Sequence, residues 1–265
     1  MDSIRNPFVP GAGSPPVELA GRDALLEDMR VALQRARIGR HAKSAMLVGL
    51  RGVGKTVLLD RIRGDAEAQG IHTIRIEAPE GRSLPAILAP QLRQALLRLS
   101  NVAAARDYAV RGLRALAGFA GKMKIKYQDL EVGLDYEPEP GLADNGDLEH
   151  DLQALFEQVG RAAKAASTAV AIFIDELQYV AEDQLAVLIT AMHRVEQQQL
   201  PVVLVGAGLP QLRGRMGNAK SYAERLFNFR RSALFRRRRP SEPSACRCRK
   251  KGWTSTRPRS SSWSR

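Results

Sequence analysis

Apolar positions along the chain fall into three recurring patterns. Leu26, Met29, Leu33 and Ala36 recur at spacings of three, four and three, which places them on one helical face. Ala45 to Val48 is a continuous apolar run of strand type, and Val57, Leu58, Leu59 and Ile62 resume a helical stripe. Gly70 closes that segment, and Ile71 to Glu77 alternates as a second strand. Ser83 to Ser100 then carries Leu84, Ile87, Leu88, Leu92, Leu96 and Leu99, and Ala104 to Ala117 is also helical in pattern. Between Lys122 and Glu137 the period changes. Ile125 and Tyr127, then Leu130, Val132, Leu134 and Tyr136, predict an inserted β-hairpin turning near Gln128 and Asp129. Pro138, Pro140, Gly141 and Gly146 end it, and Leu148, Leu152, Leu155 and Val159 mark another helix. Ala169 to Ile174 is a run of six apolar residues, a strand buried on both faces of a parallel sheet. Leu185, Leu188, Ile189, Met192 and Val195 predict a helix, Pro201 to Gly206 a fourth strand, and Ala219 to Phe227 a further helix.

Between the first strand and the helix behind it stands Gly49-Leu50-Arg51-Gly52-Val53-Gly54-Lys55-Thr56, followed by Val57. Two glycines separated by four residues, with Lys-Thr behind them, form the phosphate-binding pattern known as the P-loop. The glycines let the backbone curl so that successive N–H groups face an anion, and the following helix adds its positive end. Lys55 is then placed for the β- and γ-phosphates, and the Thr56 hydroxyl for Mg²⁺. A second site-bearing run, Ile172-Phe173-Ile174-Asp175-Glu176, puts two acids where the buried strand ends. That is a Walker B pattern, with Asp175 taking the metal and Glu176 orienting or deprotonating the attacking water. Acids also commonly begin the segment after a strand, so the pair gains its weight from the loop upstream. No guanine-reading Asn-Lys-x-Asp motif occurs, which favours adenine.

Charge changes this picture less than its size promises. The chain has 265 residues and a formal charge of +13, but residues 230–265 hold 13 basic residues and one acid. The preceding 229 residues are close to neutral and give no support to a nucleic-acid surface on that body. The only cysteines are Cys246 and Cys248, and residues 1–13 contain no apolar export core, so a cytoplasmic, disulfide-free protein without a membrane segment is expected. Residues 1–17, with Pro7, Pro10, Pro15 and Pro16, read as an extended arm.

From residue 18 to residue 229 the chain resembles a P-loop AAA+ ATPase of the origin-recognition-like or STAND branch. Gly49 to Thr56 and Ile172 to Glu176 carry the resemblance; Gly21-Arg22 and Arg225 extend it. It implies a three-layer α/β sandwich with a parallel sheet of order 5-1-4-3-2, with the helices and hairpin of about 84–146 inserted between strands 2 and 3. It also implies ATP with Mg²⁺ and hydrolysis by an ATP phosphohydrolase; the alternative is a slow nucleotide-gated switch in a signalling or DNA-handling assembly. Gly21-Arg22 would pack on adenine, or else form an ordinary helix entry capped by Asp23. Arg225 would be an arginine finger offered to a neighbouring subunit, as in a homo-oligomer, or else a solvated helix arginine. The polar sensor usual after the fourth strand has no counterpart in Gly206-Ala207-Gly208, and the usual helical lid has none after Phe229.

The segment after Phe229 reads in two ways. One is a basic, aperiodic tail that binds nucleic acid or acidic partners. The other is a GC-rich coding sequence translated out of frame. Re-read one base over with plausible codon choices, Arg230 to Phe235 becomes Pro-Glu-Ile-Gly-Ala-Leu, and the stretch from Lys250 gains an acidic start and an apolar stripe, as a lid helix has. On that reading the fifth strand is cut short and the first strand lies near an open sheet edge.

Overall fold

The computed structural model describes residues 21–123 and 136–231. Five strands, β1 (Ser44–Val48), β2 (His72–Glu77), β3 (Val170–Asp175), β4 (Val202–Gly208) and β5 (Phe227–Arg231), form one parallel sheet in the order β2-β3-β4-β1-β5. This is the expected order read from the opposite edge. Residues 124–135, which hold the turn of the predicted hairpin and nearly all of its strands, lie outside those described.

Period-two alternation divides each central strand between two layers. Ala45 and Leu47 of β1, Ala171 and Phe173 of β3, and Val203 and Val205 of β4 pack on one face against α1 (Asp23–Arg37) and α2 (Lys55–Ala68). Met46, Val48, Ile172, Ile174 and Leu204 point the other way, into a larger core. That core is closed by α3 (Leu84–Ser100), α4 (Arg106–Lys122), α5 (Leu148–Ala165) and α6 (Glu182–Gln197). Phe173, Phe156 and Phe119 are each fully buried, a contribution of about 2–3 kcal/mol apiece by area removed from water. In chain order α3 and α4 fall between β2 and β3, within the insertion of about 84–146 that the resemblance implies.

Three local expectations shift. Asp23 is the first residue of α1 rather than its cap; Arg22 holds the cap position and makes no side-chain capping bond. The helix expected over 219–227 is instead the end of α7 (Leu212–Ala219) and a four-residue turn, α8 (Ala223–Leu226). Phe227 is already strand because it pairs with Ser44 of β1. β5 also continues past Phe229 to Arg231 and pairs with all five residues of β1. The first strand is therefore flanked on both sides, and the sheet edge expected there is covered. Among the described residues no helix is long and apolar enough to cross a membrane.

Candidate nucleotide site

Parallel pairing brings the working residues to one edge of the sheet. Val48 lies opposite Gly208, and Glu77 opposite Asp175, so the carboxyl ends of β1, β4, β3 and β2 lie together. The Gly49 N–H extends the β1–β4 ladder by donating to the Gly208 carbonyl at 3.2 Å. With β4 between them, the loop after β1 and the acids after β3 stand about 9–10 Å apart, two inter-strand steps.

The loop has the shape its glycines predict. Gly52 and Gly54 take left-handed conformations, with φ of 75° and 79°, and Gly54 caps α2. A side chain at either would be strained although no atom stands within 4 Å of the missing Cβ. The first turn of α2 holds no acidic residue and its cap makes no side-chain bond, leaving the positive helix end directed at the loop. Lys55 is only 6% exposed, and its ammonium donates to the carbonyls of Gly49 at 3.1 Å and Leu50 at 2.8 Å. Thr56 is exposed on the first turn, Val57 is half-buried, and Leu50 is 60% exposed. The Arg51 guanidinium donates to the Tyr179 hydroxyl at 3.1 Å. Gly21, with φ of 74°, swings Arg22 to the loop, where its guanidinium donates to the Val53 carbonyl at 3.4 Å.

Asp175 is 2% exposed, and one carboxylate oxygen accepts the Glu176 N–H at 2.9 Å. The other faces Arg75 at 3.6 Å. Arg75 stands on β2, is further tied to Asp60 of α2 at 3.0 Å, and was not singled out from the sequence. Its signal was an arginine on the polar side of an alternating strand. Glu176 adopts φ 53°, ψ 36°, a conformation costly for a residue with a side chain and concentrated at functional sites. Its carboxylate accepts from Gln178, a second residue missed, in the short 3₁₀ turn Leu177–Tyr179.

Arg225 is not brought to this edge. It precedes Phe227, whose partner Ser44 begins β1 at the end away from the loop. There it is exposed, beside a cavity of about 570 Å³ shared with His193, Glu196, Gln197 and Tyr222.

These residues fit Mg²⁺ and a nucleoside triphosphate. A buried carboxylate, an exposed threonine hydroxyl, a buried lysine and a helix start without a side-chain cap are the protein's share of such a site. Among the described residues no group of three or more His, Cys, Asp or Glu could hold a metal by itself. Mg²⁺ suits such a site, since it keeps waters and takes phosphate oxygens alongside one or two protein ligands.

The AAA ATPase domain family model matches residues 18–205, more than half of the chain. This chain belongs to the AAA ATPase domain family. Family membership brings nucleotide binding as its general activity. No curated protein matches it. Among solved structures it is similar to Cdc6p from Pyrobaculum aerophilum, at 16% identity over 83% of this chain and 47% of that one, with a TM-score of 0.49. It is also similar to the Aeropyrum pernix Orc1 protein, solved in complex with DNA, at 17% identity over 81% and 46%, with a TM-score of 0.45. The chain spans about half the length of either.

Proposed function

We propose that this AAA domain binds ATP with Mg²⁺ and hydrolyses it to ADP and phosphate. The observation that carries the reading is the meeting of Lys55, Thr56, Asp175 and Glu176 at one sheet edge, with both acids held by neighbouring groups. The loop amides of Gly49 to Thr56 and the start of α2 cradle the phosphates. Lys55 exchanges its two carbonyl acceptors for phosphate oxygens and balances their charge. Thr56 and Asp175 are the groups that would hold Mg²⁺, which supplies neutralisation of the phosphate oxygens when bound. Glu176 accepts a hydrogen bond from the attacking water and takes its proton as the new bond to phosphorus forms. Gly21 and Arg22, fixed beside Val53, form the base-side wall.

Arg225 has no place in that cis chemistry. Its exposed position before β5 suits a finger given to the site of a second copy, so full turnover is a property of an assembly. Absence of a polar side chain from Gly206-Ala207-Gly208 favours a second reading, a nucleotide-gated switch with slow turnover. Multiple-turnover phosphate release separates the two. Hydrolysis predicts sustained release that Glu176→Gln lowers about 100-fold or more. Tight ATP binding with negligible release from the unaltered chain would leave only the switch.

A further inference from the structure

Gln178 joins two parts of the site that the sheet alone leaves separate. It is 8% exposed, and both ends of its amide are used. Nε2 donates to a Glu176 carboxylate oxygen, and Oε1 accepts the Leu209 N–H at 3.2 Å, at the first residue beyond β4. The amide orientation follows from the partners, because a carboxylate accepts and a backbone N–H donates. The turn that carries Gln178 is itself clamped: Arg215 of α7 donates to the Gln178 and Val180 carbonyls, the latter at 2.8 Å.

The same turn, with Met46 and Leu212, leaves room only for small residues at the end of β4. A Cβ on Gly206 would stand 2.3 Å from Leu177 Cδ1 and 2.5 Å from Met46 Sδ. A Cβ on Gly208 would stand 2.8 Å from Leu212 Cδ2 and 3.0 Å from Gln178 Oε1. The space a polar side chain would need at the tip is filled by Leu177 and Met46 at Gly206 and by Leu212 and Gln178 at Gly208. The Gly208 carbonyl, meanwhile, accepts the first N–H of the P-loop. A continuous path therefore runs from the loop through Gly208 and Leu209 to Gln178 and on to Glu176.

We infer that Gln178 is the positioning residue for Glu176: its amide ties the direction of that carboxylate to the end of β4, in place of a polar side chain on β4 itself. The inference rests on the reading of Glu176 as the group acting on the attacking water. Gln178→Glu in the full chain keeps the size and the acceptor for Leu209 but removes the donor to Glu176; Gln178→Ala removes both. Each is expected to lower kcat about tenfold or more while the dissociation constant for ATP with Mg²⁺ stays within twofold. Neither should cause further loss when added to Glu176→Gln. Unchanged kcat, a parallel loss of affinity and melting temperature, or losses that multiply in the Glu176→Gln background would overturn it. If the unaltered chain releases no phosphate, or Glu176→Gln leaves release untouched, it is the hydrolytic reading that fails. The tie is then judged by hydrogen exchange at the Leu209 amide. Glu176→Ala, which leaves Gln178 in place without its anchor, should speed that exchange about tenfold, and unchanged exchange would sink the tie.

Discussion

The carboxyl edge of the sheet and its amino edge are equipped in opposite ways. At the carboxyl edge the charged groups are held before any ligand arrives: Lys55 on two loop carbonyls, Asp175 between the Glu176 N–H and Arg75, Glu176 on Gln178. At the amino edge Arg225 is exposed beside an open cavity, and its neighbours Glu196 and Tyr222 are occupied with His41 and Thr190. Preorganised charge stabilises a bound anion and a developing transition state at little reorganisation cost. An exposed arginine becomes effective only when another surface orders it. On the proposed reading, binding is a property of the single chain, whereas the fast chemical step needs contact between chains.

Removing the central cation should break this contrast most deeply. Lys55→Ala is expected to weaken ATP binding about 100-fold, roughly 3 kcal/mol for the loss of charge-assisted hydrogen bonds to the phosphates. Titration calorimetry with and without Mg²⁺ measures it, and an affinity within threefold of the unaltered chain would mean that the loop backbone alone holds the phosphates.

Next in size is the support under Asp175. Arg75→Met leaves a nearly buried carboxylate without its cation, and should cost about 2 kcal/mol of stability in urea unfolding without Mg²⁺. Loss of only a few tenths would show that the 3.6 Å contact is incidental and that Asp175 is held by the Glu176 amide alone.

Arg225→Ala sharpens the contrast from the other edge. It should leave ATP affinity within twofold, since Arg225 is remote from the loop, while turnover falls about tenfold at concentrations where the chain associates. Mixing Arg225→Ala with Lys55→Ala should restore part of that turnover, because one partner keeps the groove and the other the arginine. Mixtures no faster than Arg225→Ala alone would return Arg225 to an ordinary surface role.

What the sequence revealed of the site divides along a physical line. Gly49 to Thr56 and Asp175-Glu176 are legible because each is contiguous: the chemistry needs those residue types in one short backbone stretch. Arg75 and Gln178 are not, because their partners come from register and close approach. Arg75 meets Asp175 only because β2 runs parallel to β3 with Arg75 opposite Phe173. Gln178 meets Leu209 only because Gly206 and Gly208 let the turn after β3 settle on β4. The same distinction explains the helix expected over 219–227. Ala223, Leu226 and Phe227 have helical spacing, yet pairing with Ser44 draws Phe227 into the sheet. Elsewhere among the described residues helix and strand identities were readable from period, and the sheet order followed from the resemblance rather than from any residue.

The smallest expected effect concerns stability at the amino edge. His72 opens β2 half-buried, and burial, with a secondary contribution from the nearby Arg98, holds its imidazole below the usual value of 6.5. The unfolded chain then takes up the proton first as the pH falls below 6.5, so folding stability declines from that point downward and is unaffected by this residue above it. His72→Gln removes the titration. Urea unfolding at pH 7.5 and pH 5.5 should therefore show a smaller loss for His72→Gln than for the unaltered chain, with the carboxylate contribution common to both. Arg98→Gln should move the imidazole only part of the way back, since desolvation is the larger cause and remains. If His72→Gln and the unaltered chain lose equal stability on acidification, the start of β2 does not titrate, and the acid sensitivity of the fold lies with its carboxylates. A matching decline in ATP affinity over the same range, absent from Arg98→Gln, would instead connect the amino edge to the nucleotide groove through β2 and Arg75.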